Sequence, residues 1–152
     1  MTSLQWRGFS IYTKDGSLMS GCFSIYSGPD TGNRIFAKSS RAKLEGTVRC
    51  EMLESTKLAL LGIIGDEYGI SFWEGASINS VLQAISELRD GRFKAIESKI
   101  LEKYQRKEIV DWMEQSLEEA CSGDLELQTW RSIGKLIETA SRECWSLVYQ
   151  GD

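Results

Sequence analysis

A five-stranded mixed sheet with helices on both faces, of α/β (α+β) class and formed by a single domain over residues 1–152, is what this sequence predicts. Three observations carry that expectation. The first third holds short β-branched and aromatic runs separated by turn signals. From Thr47 onward the apolar spacing lengthens to that of a helix face. Further strand-like runs then alternate with helical ones.

Taken in order, Phe9-Ser-Ile-Tyr-Thr13, Gly21-Cys-Phe-Ser-Ile-Tyr26 and Arg34-Ile-Phe-Ala-Lys38 are expected strands. Asp15-Gly16 and the Pro29-containing segment Ser27–Asn33 supply the turns between them. Thr47 is the expected cap of a helix whose apolar side carries Val48, Met52, Leu53, Leu60 and Ile64, ended by Gly62 and Gly65. Tyr68–Trp73 is a fourth strand. Ser77 caps a helix through Ile78, Val81, Leu82, Ile85 and Leu88. A basic segment leads into a helix from Ile109 to Ala120, stopped by Ser122-Gly123. Leu125–Trp130 is a fifth strand, and Leu136, Ile137, Ala140, Cys144 and Leu147 line a last helix. The expected order is β-β-β-α-β-α-α-β-α, with crossovers setting the later strands parallel to the first.

Composition narrows the chemistry. The chain has no histidine, which removes His-based nucleophilic catalysis. Its four cysteines lie far apart without a Cys-x-x-Cys pair, so zinc is discounted and buried free thiols are expected. The five tryptophans lie mainly in apolar patterns and suit core packing more than base stacking. No apolar run reaches the roughly 18 residues that span a bilayer. Because the opening residues lack a basic-then-apolar secretory pattern, a cytoplasmic or nuclear protein with no membrane partner is expected. Net charge is −4, yet residues 89–107 carry seven cations against three acids. Arg92, Lys94, Lys99, Lys103, Arg106 and Lys107 are therefore candidate contacts to nucleic-acid phosphates. Helical charge spacing such as Glu102 to Arg106 fits an ordinary exposed helix equally well.

Several short motifs carry a resemblance. Ile11-Tyr-Thr-Lys-Asp-Gly-Ser17 is similar to a strand ending in Thr-Asp-Gly-Ser. Arg49-Cys-Glu-Met-Leu53 is similar to a helix opening on Ala-Glu-Leu. Ile70-Ser-Phe-Trp-Glu-Gly-Ala-Ser and the run through Ile85 resemble a strand, an acid, a serine and a helix. In this order they resemble the ribonuclease H fold, in the version carried by non-LTR retrotransposon reverse transcriptases. The resemblance implies that Asp15, Glu51 and Glu74 are catalytic carboxylates binding Mg2+ or Mn2+ for two-ion phosphodiester cleavage. The chain departs from the family in Lys14 before Asp15 and in Glu74 where the family has Asp. Thr139, beside Glu138, falls at the fourth acid's place, and Arg131-Ser-Ile-Gly134 stands where the family has a histidine loop.

The structural alternatives are a turn aspartate at Asp15, a first-turn glutamate at Glu51 worth about 0.3–1 kcal/mol, and a polar strand end at Glu74. Three functional classes fit. The favoured one is a catalytically degenerate ribonuclease H-like domain acting in nucleic-acid binding or macromolecular assembly. An active magnesium-dependent ribonuclease H cutting RNA in RNA–DNA hybrids is the second. A protein-interaction module, such as a domesticated retroelement fragment or an effector, is the third. Expected partners are accordingly an RNA–DNA hybrid or duplex, or a protein partner or homodimer.

Overall fold

The computed structural model describes residues 21–103 and 110–151. Within them lie strand β1 (Gly21–Ser27), a 3-10 turn (Gly32–Phe36), β2 (Lys43–Cys50), helix α1 (Met52–Leu60) and β3 (Ile70–Trp73). Helices α2 (Ser77–Lys103), α3 (Val110–Gly123) and α4 (Leu125–Glu143) follow, and β4 (Ser146–Gly151) comes last. The architecture is mixed α+β. The four described strands run in the order β2-β1-β4-β3, and every pairing is antiparallel.

Alternation along the strands directs one face inward. Phe23 and Ile25, Val48 and Cys50, Leu147 and Tyr149, and Trp73 share one core with Leu58, Ile78, Ile85, Trp130 and Ile137 from the helices. Helices α1, α2 and α4 therefore lie on the same face of the sheet. Gly46 lets α4 come close, since a Cβ there would meet Leu136 Cδ1 at 2.9 Å. On the opposite face, Phe36 of the 3-10 turn touches the rings of Tyr26 and Phe72, with centroids 6.2 and 6.0 Å away. A smaller apolar cluster of Ile96, Cys121 and Leu127, flanked by Phe93, Leu117 and Ala120, fixes α3 to the second half of α2 and the start of α4.

Several expectations are corrected. Arg34–Lys38 is not a strand. The buried carboxylate of Asp30 accepts hydrogen bonds from the Arg41 amide and the Ser40 hydroxyl, folding residues 30–41 into a loop with Ile35 buried. The partner of β1 is instead Lys43–Cys50, where Gly46, Val48 and Cys50 follow a period of two. The first helix accordingly begins at Met52 rather than after Thr47. Leu125–Trp130 opens a helix, because Asp124 caps it by accepting from the Leu127 N–H at 2.8 Å. Leu127, Trp130, Ile133, Ile137 and Ala140 then recur on its buried side. Residues 146–151 leave the expected last helix and form a central strand, and the parallel pairings are absent among the described residues. No helices pack on both sheet faces there. The expected strand Phe9–Thr13 lies outside the described residues.

The cysteines are all free among the described residues. Cys50 and Cys121 are buried as expected, whereas Cys144 is exposed. Trp130 is fully buried and its indole N–H donates to Glu126 at 3.0 Å; Trp73 and Trp145 pack against the core. No described helix is long and apolar enough to cross a membrane.

Candidate functional site

Of the three expected metal-binding acids, Asp15 lies outside the described residues, as does Lys14 beside it. Glu51 caps α1. Its side chain accepts from the amide of Glu54, whose own carboxylate accepts from the Glu51 N–H at 3.1 Å. Glu54 is buried, and burial raises its pKa above the ordinary carboxylate value despite that hydrogen bond. Glu74 sits at the end of β3, where its amide donates to Ser77 Oγ and its carbonyl accepts from the same hydroxyl at 2.7 Å.

The sheet keeps these two glutamates apart. Cys50 faces Gly21, which faces Gly151, whereas Trp73 faces Leu147, level with Ile25 and Gly46. Glu51 thus leaves one end of the sheet at the β2 edge, and Glu74 leaves the opposite end at the β3 edge. With about 3.3 Å per residue and 4.8 Å between strands, they stand on the order of 20 Å apart. A two-ion site spans about 4 Å. Glu51 and Glu74 therefore do not fit a shared metal site, and no group of three metal-ligating side chains occurs among the described residues.

The basic segment divides. Arg92 grips Asp124 with two hydrogen bonds, 2.9 and 2.6 Å, and lies 3.8 Å from Glu126. Lys57 of α1 joins Glu126 at 2.5 Å. This network ties α1, α2 and the start of α4 together and employs Arg92 structurally. The Arg92 bond holds Asp124 below the usual carboxylate range against the effect of burial. Burial opposes the charge on Glu126, but Lys57 and the Trp130 indole hold it below its ordinary value. Lys94, Lys99 and Lys103 are exposed on α2. Arg106 and Lys107 lie outside the described residues.

A cleft of about 430 Å³ lies between α2 and α4. Arg89, Asp90 and Phe93 line it from α2, and Leu127, Arg131, Lys135 and Glu138 from α4. Arg89 is paired with its neighbour Asp90 at 3.2 Å. Arg131 and Lys135, one helical turn apart, have no acid partner among the described residues. Sequence reasoning missed this pair because it placed residues 125–130 in a strand. The available signal was the i, i+4 spacing of the two cations on a capped helix.

In comparisons with protein-family models, curated proteins and solved structures, the chain matches none.

Proposed function

We propose that this chain is a catalytically degenerate domain of ribonuclease H-like type that binds the phosphate backbone of nucleic acid in the cleft between α2 and α4. The ribonuclease H-like part rests on the sequence motifs alone, since the described all-antiparallel sheet lacks the parallel pairings that the resemblance implies. The binding part rests on one observation: Arg131 and Lys135 line the cleft with neither in an ion pair among the described residues, although Glu138 and the Arg89-paired Asp90 line it too. Cations held that way attract phosphates by releasing condensed counterions, and that attraction is sequence-independent. Separation of Glu51 from Glu74 supports the non-catalytic side of the reading.

The test is a salt titration of binding to a labelled RNA–DNA hybrid and a DNA duplex. Affinity is expected to fall linearly with salt on logarithmic axes. Arg131→Gln combined with Lys135→Gln should reduce that slope by about two, one per lost phosphate contact. An unchanged slope, or no salt-dependent binding at low salt, would overturn the proposal.

A protein-interaction module is favoured by a separate observation. Leu60 and Leu61, 82% and 62% exposed, adjoin a cavity of about 330 Å³ lined by Leu61, Ile63, Ala84, Glu87 and Leu88. Self-association that Leu60→Glu plus Leu61→Glu abolishes, without nucleic-acid binding, would favour this second reading.

A further inference from the structure

We infer that the α2–α4 groove takes single-stranded nucleic acid, with one unstacked base seated against Phe93. The inference rests on the backbone-binding proposal and deepens it by naming the strand form. Beside the α2–α4 cleft lies a second cavity of about 380 Å³, lined by Phe93, Leu117, Glu118, Cys121, Ser122 and Arg131. Phe93 and Arg131 line both cavities, so the two adjoin along one wall.

Their chemistry differs in a way that matches a nucleotide unit. The first cavity has three cations, Arg89, Arg131 and Lys135, against two acids, Asp90 and Glu138; with Asp90 paired to Arg89, the unpaired Arg131 and Lys135 outnumber Glu138 and suit a phosphate. The second offers an aromatic ring, a leucine and a buried thiol, which suit a planar apolar ring. Ser122 and Glu118 provide polar groups for a base edge, while the carboxylate of Glu118 disfavours a second phosphate there. Arg131 stands where both parts of the ligand meet, and a guanidinium both pairs with phosphate and stacks on rings. A regular duplex keeps its bases stacked inside and has none to place against Phe93. A single strand does.

Anisotropy of a labelled oligothymidylate, compared with an abasic strand of equal length at the same salt, decides the matter. The base-bearing strand is expected to bind about tenfold more tightly. Phe93→Ala should erase that difference and leave the salt slope intact. Phe93→Leu, which keeps an apolar side chain against Ile96 and Leu127, should erase it too if the ring itself holds the base. Equal binding of the two strands with an intact salt slope, or a Phe93→Leu variant that still discriminates, overturns this inference and leaves the backbone proposal standing. Tighter binding to duplex than to the single strand overturns it as well. No binding to either strand or to duplex overturns both.

Discussion

Cys144 closes α4 with φ 59° and ψ 38°, in the left-handed region where a side chain is unfavourable. The turn itself is well bonded: the Cys144 and Trp145 amides both reach the Ala140 carbonyl, the latter at 2.9 Å. Glycine makes the same turn without the Cβ penalty of about 1 kcal/mol. Cys144→Gly is therefore expected to raise stability by about 0.5–1 kcal/mol, seen as a higher melting temperature; a lower one would show that the thiol contributes packing. Glu51 illustrates the limit of residue-level inference. A glutamate before an apolar helix signals a cap and a metal ligand equally, and only the spacing to Glu54 favoured the cap. Cys50 beside it is held as an inert thiol, since burial pushes its pKa far up.

Elements differ in how clearly their sequences announce them. The run from Ile78 to Leu88 was legible because its spacing fits only a helix, although Ser77, expected as its cap, is already the first residue of α2 and bonds back to Glu74. Its continuation through the basic segment to Lys103 was less clear, because charges there hide the period. Leu125-Glu-Leu-Gln-Thr-Trp130 alternates like a strand, yet Leu125 is 84% exposed and the helical spacing begins at Leu127. That one ambiguity concealed α4 as it stands, and with it the pairing of Arg131 and Lys135 across from Arg89. The strand at 146–151 went unread because Cys144 and Leu147 prolong the helical spacing past the turn at Cys144. The start of α4 depends on Asp124, which both caps the helix and pairs with Arg92. Asp124→Ala removes both roles and is expected to cost about 2 kcal/mol in urea unfolding. Asp124→Asn keeps a capping oxygen and should cost about half as much. Equal losses would assign the whole effect to the ion pair.

Across the whole molecule, carboxylates of opposite tendency set the response to pH. Asp124 and Glu126 have lowered pKa values in the fold, and so has Asp30, chiefly through the Arg41 amide. Their contribution is present above the ordinary carboxylate pKa and is lost as pH falls through the lowered folded values. Glu54 behaves in the opposite sense, because its folded pKa is raised mainly by burial. Its contribution is full below the unfolded pKa and disappears as pH rises through the folded one. Stability should therefore fall steeply in strong acid and decline gently from about pH 4.5 upward through the Glu54 titration. Glu54→Gln, which retains the capping hydrogen bond, should remove the gentle decline and leave the acid limb in place. Urea midpoints measured across that range check this; an unchanged decline would mean another group causes it.

The central position of β4 also governs when this sheet can exist. β4 is hydrogen-bonded to β1 on one side and β3 on the other, and it supplies Leu147 and Tyr149 to the core. Until residues 146–151 have been synthesised, the β1–β2 ribbon and β3 have no strand to join them. Gly21 meets Gly151 across nearly the full described length, a closure whose loop entropy precedes any reward from pairing. On the ribosome α2, α4 and the β1–β2 ribbon can pack on one another first, but the sheet itself closes only when β4 arrives.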